Sequence, residues 1–278
     1  MVNIEQSTIW KEYIEHWEIF ASPGRPSEGD VAILERWLKK INAKRVLILG
    51  STPELRDLVK KLGCEVYCMD MQLEMLMGME HFMKSKNKDE VWIKGDWLES
   101  PLKDDFFDAI LGDLVLVNIP YKDKPRFLKQ ITRMLKKDGY WLTKILYRPD
   151  NWVKEDPLEM INKIASMPYN RNRYEELFVF LMYQCHDGEF FKGLEIEKLI
   201  GKYYKNGKVA EGVDPKAAKL FELMLKMWGK PMDKIWYAKT GSEVRNIISE
   251  FFDIVEEDCA TGYMFAEHFP TLLCRPRE

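Results

Sequence analysis

Four positions recur at the ends of short apolar runs, and their types and spacing define the chemistry to be considered. Gly50 closes RVLILG and opens the turn Gly50-Ser51-Thr52-Pro53-Glu54. Asp70 closes EVYCMD, Gly95-Asp96-Trp97 follows VWIK, and Gly112-Asp113 closes FDAILGD. In an open α/β sheet such strand ends face the ligand crevice. A carboxylate at Asp70 is placed to accept from the two hydroxyls of a ribose. Asp96 can accept from an adenine amino group while Trp97 packs the ring. The G-x-G-x-x-G fingerprint of a pyrophosphate site is absent, and Glu54 stands at the helix N-terminus where a phosphate would sit. A ligand without phosphate, bearing positive charge, fits better. The plainer alternatives are helix capping by the first turn and by Asp70; the ordered set of four is what favours a site.

The elements that would position these residues follow from periodicity. Residues 27–41 carry Val31, Leu34, Trp37, Leu38 and Ile41 at helical spacing behind Ser27 as N-cap. Strand 45–50, a helix near 53–62 capped by Thr52 with Pro53 at its first position, strand 65–70, a helix near 72–84 and strand 91–96 then alternate. Strand 107–113 leads to a helix with Pro125 in its first turn and Gly139 as C-cap, and then to strand 140–146. Such alternation predicts a doubly wound, mostly parallel sheet with helices on both faces. From 150 to about 240 the rhythm breaks into helical patterns at 157–165, 173–184, 194–204 and 215–228, without a convincing strand. A helix at 242–252 and strands near 253–260 and 270–276 resume the first pattern, and the closeness of those two strands predicts a terminal antiparallel hairpin. The expected organisation is an N-terminal helical segment (1–26), a sheet domain (27–149 and 240–278) and a helical insertion after the fifth strand (150–239).

With these elements in place the sequence resembles a class I S-adenosylmethionine-dependent methyltransferase, a Rossmann-like family. VLILGSTPEL (46–55), CMDMQLEML (68–76), KGDW (94–97), FDAILGD (107–113) and YWLTKIL carry the likeness, which covers about 27–147 and 240–278. The first motif departs from the family's usual G-x-G-x-G, becoming Gly50-x-Thr52-x-Glu54. The resemblance implies S-adenosyl-L-methionine as cofactor. It sets Gly50, Ser51 and Thr52 against the methionine part, Asp70 on the ribose, Met71 beside the adenine, Asp96 on the adenine amino group with Trp97 flanking, and Asp113 and Leu114 bordering the sulfonium and the acceptor. Asn118-Ile119-Pro120-Tyr121 is similar to the N-P-P-Y motif of enzymes that methylate amino groups of bases or glutamine. It stands too far beyond the fourth strand and lacks the first Pro, so a turn is expected there.

Methyl transfer from a sulfonium is an in-line displacement in which the protein aligns, excludes water and in some cases removes a proton. Asp113 is the candidate base, with His186 and His268 as further ones; for each lone His a structural role is the more frequent. The insertion can roof the pocket. Trp17, Tyr147, Arg148 and Tyr237 are the candidate substrate contacts, although Trp10, Tyr13, Ile14, Trp17 and Phe20 also suit a helix stapled to the core. A small-molecule acceptor is expected, with a non-catalytic binding module or a nicotinamide-dependent oxidoreductase as alternatives.

Composition bounds the rest. The 278 residues carry 42 Lys+Arg and 45 Asp+Glu, a net charge of −3, with no long basic block, which argues against a nucleic-acid partner. No apolar run reaches membrane-spanning length. Five cysteines (Cys64, Cys68, Cys185, Cys259, Cys274) show no zinc spacing, so no metal is expected and a cytoplasmic protein is. Aromatics reach 13% with nine Trp, and Trp10, Trp17, Trp152, Trp228 and Trp236 fall in the N-terminal segment and the insertion.

Overall fold

A computed structural model describes residues 14–85, 89–229 and 231–277. Helix α1 (Glu28–Lys40) starts in a reciprocal capping box in which Ser27 and Asp30 satisfy each other's backbone amides. Strand β1 (Arg45–Leu49) is buried from Val46 onward, as a central parallel strand must be. The chain continues through α2 (Pro53–Lys61), β2 (Glu65–Asp70), α3 (Leu73–Met79), β3 (Val91–Lys94) and β4 (Phe107–Asp113). Helix α4 (Lys124–Met134), strand β5 (Leu135–Lys144) and the insertion helices α5 (Pro157–Ser166), α6 (Arg173–Gln184), α7 (Gly193–Tyr203) and α8 (Ala217–Trp228) follow. Helix α9 (Gly241–Ser249) and strands β6 (Phe252–Asp258) and β7 (Thr271–Pro276) close the chain.

The seven strands lie in the order β6-β7-β5-β4-β1-β2-β3. β1 pairs in parallel with β2 and β4, β2 with β3 and β4 with β5, while β7 runs antiparallel to both β5 and β6. The last strand therefore inserts between two strands already made. After the buried Phe252, edge strand β6 alternates exposed and half-buried residues and carries the acids Asp253, Glu256, Glu257 and Asp258, which discourage pairing with another chain. Two cores sandwich the sheet. Trp141 and Phe127 centre the α4/α9 face, and Trp37, Leu58 and Leu111 the α1/α2 face. Trp37 and Trp141 are both fully buried.

Three local expectations differ. Thr52 makes no capping hydrogen bond, and Pro53 alone sets the start of α2. Gly139 does not cap α4, which ends at Met134 where Leu135 is already extended. Phe107 pairs with Leu135 and Ala109 with Tyr140, so residues 136–139 bulge out of β5. A Cβ on Gly139 would meet the Phe107 carbonyl at 3.0 Å, which is why glycine stands there. The insertion also contains two-residue pairings, Phe191–Lys192 with Ile235–Trp236 and Tyr204–Lys205 with Lys208–Val209. Asn206 and Gly207, both at positive φ, make the tight turn of the second.

A third core unites the insertion with residues before α1. Phe178 stacks on Trp228 at 4.6 Å, Phe20 meets Trp228 at 5.7 Å, and Trp17 lies in the same cluster. Trp10 and Tyr13 lie outside the described residues. The anchor between this body and the sheet is ionic. Lys144, at the end of β5, donates to Asp30 at 3.0 Å and to the Pro23 carbonyl at 3.2 Å, with both side chains only 2% exposed.

Breaking a buried pair leaves one charge uncompensated, so Lys144→Met should lower the unfolding free energy by about 3–5 kcal/mol. The double variant Asp30→Asn/Lys144→Met should recover most of that loss in urea denaturation. An additive double variant would contradict the coupling.

Candidate functional site

At the sheet's carboxyl edge, one carbonyl organises three loops. The Met69 carbonyl accepts from the Gly50 amide at 2.8 Å and from the Trp97 indole at 2.9 Å. Gly50 has φ +95, a conformation that a side chain would strain, and a Cβ there would lie 3.9 Å from the Trp97 ring. The turns after β1 and β3 are thereby tied to the end of β2. Asp70 and Lys94 are register partners, and the Gly95 amide donates to the Asp70 carbonyl at 3.0 Å, which brings Asp96 alongside Asp70. Ser51 is buried, Thr52 is half-buried, and Met71 is 44% exposed.

The acids differ in environment. One Asp70 oxygen accepts the Gln72 amide at 2.9 Å, and burial pushes the carboxyl up to about 6 against the pull of the Gln72 and Met71 amides. Asp96 accepts the Leu98 amide at 2.8 Å. Asp113 faces its register partner Lys144 on the α1 side of the sheet, yet its carboxylate makes no hydrogen bond among the described residues. Burial raises it to about 7, against the pull of Lys144 and with a push from Asp30 and Glu54. Leu114 turns the chain at φ +53, its amide held by the Lys144 carbonyl at 3.1 Å.

Glu54 is not open to a ligand in the way its sequence position suggests. Arg25 pairs with it at 2.6 Å, lies 5.3 Å over the Trp17 ring and donates to the Trp17 carbonyl at 3.1 Å. The second Glu54 oxygen remains buried and unpartnered, as do Asp30 Oδ1 and Glu175 Oε1. Glu175 on α6 is 1% exposed, and burial lifts its carboxyl to about 8 against the pulls of Tyr174 and Lys144. Lys144 itself is held above the usual lysine range by Asp30, Tyr263 and Asp113 despite its desolvation. The edge is thus rich in acceptors and poor in donors.

The remaining candidate residues form a second strip. The Tyr147 hydroxyl donates to the Glu267 carbonyl at 2.8 Å, the Arg148 amide to the Lys239 carbonyl at 2.9 Å and the Tyr237 amide to the Val117 carbonyl at 2.8 Å. These three lie together past β4 and β5. Trp17 lies apart from them, 4% exposed beneath Arg25. Both ring nitrogens of His186 are engaged, by the Ala238 carbonyl at 2.8 Å and the Gly188 amide at 3.0 Å. His268 keeps a buried, unpartnered Nδ1. Asn118 ends one 3-10 turn and Tyr121 begins the next, with Ile119 and Pro120 extended between them, so the segment turns as expected.

Sequence reasoning missed Lys144, Asp30, Arg25 and Glu175. A signal existed for the first: a lysine inside YWLTKIL, otherwise read as a buried strand, demands a buried acid. All five cysteines are free, with Cys68 and Cys274 buried and the other three half-buried. Among the described residues no helix is long and apolar enough to cross a membrane, and no group of three potential ligands could hold a metal ion.

Residues 49–143 match the family model of a methyltransferase domain. Three solved structures resemble the chain in fold. One, from Rhodobacter sphaeroides, carries the name of a Zn-dependent alcohol dehydrogenase (12% identity, TM-score 0.60, all of each chain covered). A second is the 1,6-didemethyltoxoflavin-N1-methyltransferase of Burkholderia thailandensis, solved with 1,6-didemethyltoxoflavin and S-adenosylhomocysteine (10% identity, TM-score 0.53, 100% of this chain and 92% of that). The third carries the name of an S-adenosylmethionine-dependent methyltransferase of Listeria monocytogenes (14% identity, TM-score 0.52, 91% and 100%). No curated protein matches significantly.

The Glu175 environment has a pH consequence. Its folded pKa, about 8, exceeds the ordinary 4.5, so the folded state binds that proton more tightly. Stability from this group is full below about pH 4.5 and falls as pH rises towards 8. Glu175→Gln should flatten the loss between pH 5 and 8 by about 1 kcal/mol or more, read from urea midpoints at each pH.

Proposed function

Because the chain carries an S-adenosylmethionine-dependent methyltransferase domain of the class I, Rossmann-like fold, we propose that it transfers a methyl group to a small-molecule acceptor by in-line displacement. The observation that carries the site assignment is the surplus of unpaired acceptor oxygens at the carboxyl edge. Glu54 and Asp30 each keep a buried oxygen without a hydrogen bond, and the Asp113 carboxylate makes none, among the described residues. A cofactor bearing ribose hydroxyls, an ammonium and a sulfonium offers the donors and positive charge this edge lacks.

The residues divide the work. Gly50, Ser51 and Thr52 border the methionine part, where bare backbone at φ +95 allows close approach. Asp70 accepts from the ribose, Met71 lies beside the adenine, and Asp96 takes its amino group with Trp97 alongside. S-adenosyl-L-methionine supplies an electrophilic methyl when bound. Asp113 and Leu114 border the transfer point. A carboxyl raised to about 7 is matched to taking a proton from an acceptor near neutrality. Tyr147, Arg148 and Tyr237 approach from the acceptor side. Trp17 contributes a packed wall behind Arg25, since its ring is almost wholly buried. The 1,6-didemethyltoxoflavin bound by the Burkholderia thailandensis enzyme is consistent with a small-molecule acceptor.

Calorimetric titration with S-adenosylhomocysteine tests the cofactor half. Asp70→Asn should weaken binding about 10- to 100-fold, as expected for losing charge-assisted hydrogen bonds. Binding by the parent chain should also weaken as pH falls through about 6, where Asp70 takes up a proton and loses acceptor capacity. Affinity unchanged by the substitution, or no binding at millimolar ligand, would remove the assignment. Asp113→Asn should lower turnover more than S-adenosylhomocysteine affinity in a product assay over a metabolite panel.

A further inference from the structure

The insertion's return to the sheet encloses a cavity of about 190 Å³ lined by Arg148, Trp152, Lys154, Tyr183, His186 and Gly188. Its walls are aromatic: Trp152 and Tyr183 meet at 4.9 Å with their planes 47° apart. Two N–H groups on lining residues, Arg148 Nε and Trp152 Nε1, are buried without a partner among the described residues. A buried donor without an acceptor costs stability, so a ligand that brings an acceptor to these two gains by completing their bonding.

The charge around this cavity is one-sided. Neither Arg148 nor Lys154 makes an ion pair among the described residues; of the acids in the flanking segments, Asp150, Asp187, Glu189 and Glu243 are already engaged, and Glu155 is exposed and outside the lining. Asp150 accepts from the Ser242 amide and hydroxyl. Asp187 accepts the Glu189 and Phe190 amides and lies 3.6 Å from Lys192. Glu189 and Glu243 share Lys239 at 3.7 and 3.6 Å. His186 adds no negative charge, because it is held neutral between the Gly188 amide and the Ala238 carbonyl, and burial together with Arg148 opposes its protonation. The guanidinium is therefore left facing a small aromatic pocket. Planar guanidinium geometry suits a carboxylate, which two N–H donors can hold at once.

We propose that this cavity binds the carboxylate end of a small aromatic or flat organic acid, and that this acid is the methyl acceptor. The second half of that statement rests on the methyl-transfer reading above; the first does not. Arg148 follows β5 by four residues and its backbone is fixed by the Lys239 carbonyl and the Gly241 amide. Arg148 thus lies just past the carboxyl end of β5, the same end of the sheet at which Asp113 closes the neighbouring β4.

The test is calorimetry on the full chain without cofactor, using benzoate, its neutral isostere benzamide and inorganic phosphate as probes. Benzoate should bind saturably, and benzamide at least tenfold more weakly. Arg148→Gln should weaken benzoate about tenfold or more. The exposed Lys154→Gln, which disturbs no packing, should weaken it about two- to threefold in a salt-dependent way. Equal affinity for benzoate and benzamide, or affinity unchanged in both variants, overturns the proposal. Phosphate binding more tightly than benzoate overturns the carboxylate assignment. S-adenosylhomocysteine titrated in parallel separates the two readings: its binding without benzoate binding overturns this inference alone. Benzoate binding without it supports the pocket and removes the methyl-transfer reading.

Discussion

A lysine ammonium cannot leave water unpaired, and in this chain that constraint is imposed at the end of the central strand β5. Lys144 is almost fully buried, so an acid must be brought to it, and Asp30 arrives with the capping box of α1. The same nitrogen takes the Pro23 carbonyl, which draws the segment before α1 across the carboxyl edge of the sheet. Arg25 then reaches Glu54, Tyr174 of the insertion bonds the Ile19 carbonyl at 2.9 Å, and Phe20 enters the insertion core. One ionic contact thus sets the position of the N-terminal segment, the floor of the insertion and the environment of the site acids. Burial raises the carboxyls of Asp113 and Glu175, and Lys144 pulls against that rise at both. They share a dry region with one cation, which cannot hold every carboxylate ionised.

How much of this could be read in the sequence depended on the distance over which each signal acts. Strands 65–70 and 107–113 and helix 173–184 coincide with their predicted bounds because hydrophobic runs and periodicity are local. The antiparallel terminal pair followed from loop length, and the strand ends that meet at Met69 followed from topology. Gly139 was misplaced because a glycine after an amphipathic helix has the same pattern whether it caps the helix or relieves a bulge. Only the carbonyls of Lys136 and Phe107 distinguish the two. Asp30 and Lys144 stand 114 residues apart, and nothing in either neighbourhood names the other. The free guanidinium of Arg148 was equally invisible, since being unpaired is a property of its surroundings.

The aromatic surplus resolves into distinct physical tasks. Trp37 and Trp141 fill the two sheet cores, and Trp228 and Trp236 pack the insertion against Phe178. Trp97 acts through its indole N–H, locking two loops to one carbonyl. Trp152 alone among these combines a ring exposed to a cavity with a buried donor that nothing satisfies. The carboxyl edge of the sheet is accordingly held by backbone and small acids, and the insertion by rings.

The Lys144–Asp30 contact also orders events in time. A ribosome releases Asp30 long before Lys144, and at about 5–20 residues per second the intervening 114 residues take roughly 6–20 s to appear. Through that interval α1 has no reason to bury its acid, so the first segment waits, solvated, for the fifth strand. The sheet waits longer still, because β7 must slip between β5 and β6 after both have emerged. Nascent chains of this protein are therefore committed to their architecture only once β7 has emerged, with that strand as the closing stitch.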